Sequence, residues 1–231
     1  MFVHDRKTYM SELSEDFQYL IEKMGQPQTY GRPDASYINS LRQKFPHTLV
    51  DFWETHGWCS MAAGKLWMPN PADFDDLMDV VFTDDSQINH SKCHVIAYSA
   101  FGKCWIWSEQ LQDISIRLTR GWVYSSAMVD GELSDYPDNN VTSFSTGKED
   151  KYDQLDSDGK KLYARSRRKY GELEPGECYG FFPALALGGS GNLEDIKRVN
   201  ALEHFALLAQ IAPLTLIKFE GTSMVPVRTI G

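Results

Sequence analysis

The chain has 231 residues, of which 42% are hydrophobic, 13% aromatic and 24% charged. This composition is typical of one large or two small packed domains, and it excludes the collagen-like, coiled-coil and disordered classes. The formal net charge is −9, which argues against nucleic-acid binding because neutralising phosphates requires Lys and Arg. No stretch approaches the ~20 apolar residues of a membrane span. The first residues lack the apolar segment of a secretory signal, so we expect a cytoplasmic protein with reduced cysteines.

The N-terminal half predicts helices followed by an antiparallel sheet. In the first helix, apolar residues at helical spacing follow a predicted cap at Ser11 and end at Gly25, whereas Pro46 and Gly57 bracket a later helix. Alternating apolar residues then predict strands, and residues 26–33 are interpreted as a loop. The predicted helices cover residues 13–24, 34–44, 46–56 and 70–82, and the predicted strands cover 58–62, 65–68, 94–99, 103–108, 114–118 and 122–124.

The C-terminal half predicts a smaller mixed α/β unit. The spacing predicts helices over residues 160–170 and 192–211, a buried segment over 178–187 and a final strand over 214–219. The fold class is therefore α+β, with N-terminal helices, an antiparallel sheet and a C-terminal α/β domain packed on it. We predict domains at residues 1–128 and 129–231, joined by an acidic linker at about 130–150 that has few apolar residues and several turn formers.

The negative charge is concentrated in two runs, near residues 73–85 and 130–158, and a basic cluster follows at 160–169. Charge runs are usually solvated surface, and the basic cluster can pair with the acidic residues before it. A functional interpretation is a negative surface that steers a cationic partner. The candidate contacts on this hypothesis are Asp73, Asp75, Asp76, Asp79, Asp84, Asp85, Asp130, Glu132, Asp135 and Asp138.

Three motifs could carry chemistry, but each is incomplete. His90, Cys93 and His94 could bind a metal on a helix, although the residues from 94 onward predict a strand. Residues 153–159 resemble a calcium loop with the wrong residues at its first and last positions, and the glycine-rich residues 188–191 lack a phosphate-binding Lys. No catalytic residue and no cofactor is predicted. A metal-dependent hydrolase using His90, Cys93 and His94 stays open as an alternative, as does a general regulatory protein-binding module.

Four segments resemble a known domain pair. Residues 45–58 (FPHTLVDFWETHGW), 64–74 (GKLWMPNPADF) and 101–108 (FGKCWIWS) resemble the GAD-like domain. Residues 171–189 (GELEPGECYGFFPALALGG) resemble the small C-terminal domain that commonly accompanies it. The pair is similar to immunity proteins that protect bacteria from DNase toxins of type VI secretion systems, and the resemblance extends over about residues 10–210.

The resemblance implies a non-enzymatic inhibitor that forms a tight complex with a cognate nuclease in the cytoplasm, without a cofactor, direct nucleic-acid binding or membrane attachment. It implies structural roles for its motif residues, and toxin-contacting positions cannot be transferred because they vary with the toxin. A DNase exposes a positive surface to DNA, so an acidic inhibitor fits such a partner. The motif residues with structural roles are Trp53, Gly57, Gly64, Trp67, Gly180, Pro183 and Gly188.

Overall fold

The structure is a computed structural model that describes residues 13–131, 133–145 and 149–231. Its elements confirm an α+β fold. The N-terminal part contains α1 (Glu15–Met24), β1 (Gln28–Gly31), α2 (Ala35–Leu41), α3 (His47–His56), β2 (Trp58–Met61), β3 (Leu66–Met68), α4 (Asp75–Phe82), β4 (Cys93–Ser99), β5 (Lys103–Ser108), β6 (Gln112–Arg117) and β7 (Trp122–Tyr124). The C-terminal part contains α5 (Ser126–Asp130), α6 (Pro137–Val141), α7 (Tyr163–Tyr170), β8 (Glu177–Phe181), β9 (Ile196–Asn200), α8 (Ala201–Ile211), β10 (Thr215–Glu220) and β11 (Ser223–Thr229).

Nine of the described strands form one sheet in the order β1-β2-β3-β4-β5-β6-β7-β10-β11. Neighbouring strands are antiparallel except β7 and β10, which pair in parallel through Trp122 with Thr215 and Val123 with Leu216. The C-terminal hairpin of β10 and β11 therefore extends the sheet that the N-terminal part begins. The predicted domain boundary at residues 128 and 129 stays a prediction, and the sheet continues across it.

Both faces of the central strands are buried. Since successive side chains of a strand point to opposite faces, each of these strands contributes to two cores. On β5, Cys104 and Ile106 enter a core that also contains apolar side chains of α4 and α8. Trp105 and Trp107 enter a second core on the other face, with α1 and α3. The sheet thus separates two apolar layers.

Two glycines occupy positions where neighbouring atoms leave no room for a side chain. Gly57 ends α3 with φ +68°, and a Cβ there would lie 2.3 Å from the carbonyl oxygen of Gly31. Gly180 lies in β8, where a Cβ would be 2.6 Å from Nε2 of His204. The structural roles implied for these two residues are confirmed.

Most predicted elements are present, but four segments differ from the predictions. The predicted loop at residues 26–33 contains β1, which pairs with β2. The helix predicted over 192–211 begins at Ala201, because residues 196–200 pair as β9 with β8 and the Asn200 side chain caps the helix at the Glu203 amide. The predicted linker contains α6, and β11 has no counterpart in the predictions. The predicted cap Ser11 lies outside the described residues.

The four cysteines are buried and free of disulfides. Burial raises the pKa of the Cys93 thiol to about 11 and that of Cys59 to about 12, so these thiols stay protonated at neutral pH. None of the described helices is long and apolar enough to cross a membrane.

A buried ion pair fixes the last strand beside the end of α4. The Asp85 side chain is 1% exposed, and Arg228 of β11 donates to both of its carboxylate oxygens, with 3.0 Å between Nη2 and Oδ1. The backbone amides of Gln87 and Gly231 donate to it as well. Burial alone raises the pKa of Asp85, but these donors outweigh it and hold the pKa below its usual range.

Replacing Asp85 with Asn is expected to lower the free energy of unfolding by about 2–3 kcal/mol at neutral pH, because the charged hydrogen bonds with Arg228 are lost. The native pKa of Asp85 is depressed, so this stabilisation is complete above about pH 4 and disappears as the pH falls through the native pKa. Urea unfolding of both proteins between neutral and acidic pH measures the effect. Asp84→Asn is the control, since Asp84 is exposed and should change stability by less than about 0.5 kcal/mol. Equal losses in the two variants would contradict this account.

Candidate protein-binding surface

The acidic helix α4 presents a row of carboxylates to solvent. Its buried side chains are Leu77, Met78, Val81 and Phe82, which pack into the core between the helix and the sheet. The outward positions of α4 and the 3₁₀ turn before it carry exposed carboxylates, namely Asp73, Asp75, Asp76 and Asp79. Carboxylates in a first helical turn are favourable because they face the positive end of the helix dipole. We call these four residues and Asp84, which is also exposed, the α4 acidic surface.

Histidines lie along one border of the α4 acidic surface. Asp79 contacts Nδ1 of His90 at 2.6 Å, and Asp75 lies 3.6 Å from Nδ1 of His94. Nε2 of His94 lies 3.3 Å from Glu109, which also forms a 2.7 Å ion pair with Lys92. Burial raises the pKa of Glu109, but hydrogen bonds from Lys92 and His94 lower it below its usual range overall. Glu109 is therefore paired and only 20% exposed, whereas the side chains of Asp75 and Asp79 stay 60% exposed beside their histidines.

The predicted metal ligands are not brought together. His90 turns to Asp79, and the ring of His94 packs against Phe45 with 5.0 Å between centroids. The buried thiol of Cys93 is directed at the Asn89 carbonyl oxygen, 3.5 Å away. Within residues 13–131, 133–145 and 149–231, no group of three His, Cys, Asp or Glu side chains could hold a metal ion. The metal-site interpretation therefore has no support from this geometry.

Asp85 does not belong to the α4 acidic surface, although the charge pattern placed it there. Its carboxylate is occupied by Arg228 and two amides, so it is not available to a partner. The preceding residue, Asp84, is exposed. Nothing in the local sequence distinguishes these two adjacent aspartates, because the partner of Asp85 lies 143 residues further along the chain.

The later part of the second acidic run lies on the other face of the sheet from the α4 acidic surface. Asp130 and Asp135 are exposed, and Glu132 lies outside the described residues. Asp138 is half-buried, and the run continues into Val141 and Phe144, which belong to the core on the opposite face of the sheet from α4. The sheet therefore separates the later part of this run from α4.

The basic cluster is largely neutralised by nearby carboxylates. On α7, Arg165 pairs with Asp156, Arg167 pairs with Glu172, and Lys169 contacts Glu194. The guanidinium of Arg165 holds the pKa of Asp156 below its usual range. Asp156 belongs to the segment that resembles a calcium loop, and in the structure it forms an ion pair with Arg165. This pair agrees with the expectation that the basic cluster pairs with the acidic residues before it.

The comparisons with known proteins agree with this architecture. Residues 15–120 match the family model of the GAD-like domain, and residues 138–212 match the model of the C-terminal domain of the T6SS immunity protein Tdi1. The chain thus contains, one after the other, a segment that matches the GAD-like domain and a segment that matches the Tdi1 C-terminal domain. Both assignments agree with the resemblance that the sequence motifs indicated.

One similar solved structure is the crystal structure of Atu4351 from Agrobacterium tumefaciens. It superposes with a TM-score of 0.85 at 25% sequence identity, over 93% of this chain and 98% of that chain. The shared fold therefore includes both matched segments. No curated protein is recognisably similar to the chain in sequence.

Asp138 is expected to contribute to stability by capping α3. Its Oδ1 accepts hydrogen bonds from the backbone amide and the hydroxyl of Thr48, each at 2.9 Å, and that amide has no partner within the helix because it lies in the first turn. Asp138→Ala should lower the free energy of unfolding by about 1 kcal/mol, measured by thermal or urea unfolding. Asp135→Ala removes an equally charged but exposed side chain and should leave stability unchanged. An Asp138→Ala protein as stable as the wild type would disprove the cap.

Proposed function

We propose that this protein is a T6SS immunity protein that binds a cognate DNase toxin and inhibits it by covering its active site or DNA-binding surface. The match of residues 138–212 to the Tdi1 C-terminal domain is the observation that carries the proposal. The protein acts by binding, without catalysis and without a cofactor. It works in the cytoplasm, where an injected DNase reaches the chromosome.

The α4 acidic surface supports a nuclease as the partner. A DNase needs a positive surface to hold the phosphates of DNA, and exposed carboxylates compete for that surface. The carboxylates of α4 point outward from a helix whose other face is fixed in the core. They therefore hold their positions before the partner arrives, which favours rapid, electrostatically steered association.

Apolar side chains beside the carboxylates provide a second kind of contact. Tyr30 is 39% exposed and, together with Asp73, lines a depression of about 240 Å³. Val80 of α4 is 42% exposed between the outward aspartates. Affinity in protein complexes comes mostly from a few desolvated anchors, often aromatic, while charges mainly set the association rate. We therefore assign the anchoring role to Tyr30 and its surroundings and the steering role to the aspartates.

The proposal is tested by determining whether a nuclease gene lies next to the gene of this protein and by co-expressing the two products. A complex that survives purification, and a nuclease activity that falls in proportion to added immunity protein, are the expected results. A general regulatory module would give neither result with that partner. Inhibition by substoichiometric amounts of this protein would contradict inhibition by occlusion, because each inhibitor molecule can cover only one toxin.

Reversing Asp75, Asp76 and Asp79 to Lys should slow association with the nuclease by about tenfold or more at low salt and weaken its salt dependence. Stopped-flow or surface-plasmon measurements at several ionic strengths give both quantities. Two further variants separate local from global charge. Asp130→Lys with Asp135→Lys tests the second acidic run, and Glu15→Lys with Glu22→Lys alters exposed positions of α1.

The α1 variant should change the association rate much less than the α4 variant, since α1 lies on the other face of the sheet. Thermal unfolding of each variant checks that the fold is intact. An unchanged association rate in the α4 variant would remove α4 from the interface, while leaving an immunity function through another surface possible.

A further inference from the structure

The sheet carries a cavity on a face that the helices cover incompletely. On β6, Ile114 and Ile116 enter the core shared with α4 and α8, whereas Asp113, Ser115 and Arg117 alternate with them and face the other side. There the strands β5, β6, β7, β10 and β11 border a cavity of about 480 Å³. This volume is within the range of small-molecule pockets.

Apolar and aromatic side chains form much of the cavity wall. Trp105, Trp122 and Tyr124 line it, and Phe219 packs edge-on against Tyr124 with 5.2 Å between ring centroids. Phe219 is 56% exposed, although it is one of the largest apolar side chains on the sheet. Met224, its partner in the β10–β11 register, is 44% exposed. A ligand with an apolar body would remove this surface from water, which is favourable.

Two cations lie side by side in the same cavity. Lys103 is directly opposite Arg117 in the register of β5 and β6, and like charges at such positions repel each other. Neither side chain forms a salt bridge with a carboxylate in the described part of the chain; Nζ of Lys103 instead lies 4.5 Å from the centroid of Trp105. The nearby carboxylate of Asp113 accepts a hydrogen bond from Ser143. The arrangement favours an additional negative charge between Lys103 and Arg117.

Burial is the main cause of the pKa shifts at this place, and the adjacent like charge adds to the shift at Lys103. Burial, together with the charge of Arg117, lowers the pKa of Lys103 to about 8. Burial raises the pKa of Asp113 to about 6, although its hydrogen bond with Ser143 and the charge of Lys103 lower it in part. A bound anion would oppose the shift at Lys103 by stabilising its charged form.

An ordinary solvated sheet face does not account for this arrangement. Lys218 on β10 shows the ordinary case, since it pairs with Glu220 at 2.5 Å and both side chains are well exposed. Lys103 and Arg117, in contrast, are only partly exposed, border an aromatic wall and form no salt bridge with a carboxylate among the described residues.

We propose that this cavity binds a carboxylate carried on an apolar, preferably aromatic, body. The carboxylate lies between Lys103 and Arg117, and the body packs against Trp122 and Phe219. The carboxylate can belong to a free small molecule or to an acidic side chain of a protein partner, and the chemistry of recognition is the same in both cases. This inference does not depend on the identity of the toxin.

The binding experiment uses 3-phenylpropionate as the probe and its amide as an uncharged control of the same shape. Proton–nitrogen NMR of the tryptophan indole groups follows the titration. We expect saturable binding of the carboxylate. The affinity for the amide should be lower by about tenfold or more, because charge-assisted hydrogen bonds are lost. The double variant Lys103→Met with Arg117→Met should weaken carboxylate binding by a similar factor. Lys218→Met removes one charge from β10 outside the cavity wall and should bind like the wild type.

Three results would each overturn the proposal: no saturable binding of the carboxylate up to about 10 mM, equal binding of the amide, or unchanged binding by the double variant. With binding established, the titration is repeated on the complex with the nuclease. Displacement of the probe identifies a side chain of the partner as the natural ligand, and unchanged binding identifies a free small molecule. The probe arm uses the protein alone, so its failure is distinct from a failure of the immunity function.

Discussion

The parallel pairing of β10 with β7 is the contact on which the rest of this molecule depends. Two backbone positions, Trp122 with Thr215 and Val123 with Leu216, join the C-terminal hairpin to the sheet of the N-terminal part. Because of this pairing, β11 becomes the edge strand and brings Arg228 to Asp85 at the end of α4. The same hairpin supplies Phe219 and Met224 to one wall of the cavity. The acidic helix and the cavity are thus held by the same two strands.

The sheet also determines how the charge of the protein is distributed. A net charge of −9 by itself is compatible with a uniformly negative molecule. In the structure, the aspartates of α4 lie over one face of the sheet, the later part of the second acidic run lies over the other, and the basic residues of α7 are paired with carboxylates. Lys103 and Arg117 form a small positive region beside the second core. The molecule therefore presents different chemistry to partners on its two sides.

Local sequence signals predicted much of the fold. Alternation of apolar residues predicted β4 to β7, and the bracketing Pro46 and Gly57 predicted α3 within a residue of its ends. Two strands were missed for different reasons. The strand β1 is short and exposed, and it forms through its pairing with β2, which lies further along the chain. In β11, Pro226 weakens the strand signal of the sequence. Helical spacing of Ile196 and Val199 was misleading because the same two residues also fit β9.

The candidate site was predictable in part, for a related reason. The exposed aspartates of α4 follow from the helical spacing of its apolar residues, which defines an inner and an outer face. The sequence does not separate Asp85 and Asp138 from the exposed aspartates, because Arg228 and Thr48, which donate hydrogen bonds to them, are remote in sequence. The cavity could have been signalled by the alternation of polar and apolar residues along β6, but its far wall requires the pairing of β7 with β10.

The division of α4 into an inner and an outer face has a consequence for how such a protein can change over generations. The inner residues Leu77, Met78, Val81 and Phe82 are fixed by packing, and substitutions there are costly. The outer positions contribute little to folding, so they can accumulate substitutions at almost no loss of stability. On the proposed function, substitutions confined to the outer positions of α4 can therefore adapt this surface to an altered toxin while the scaffold beneath it stays unchanged.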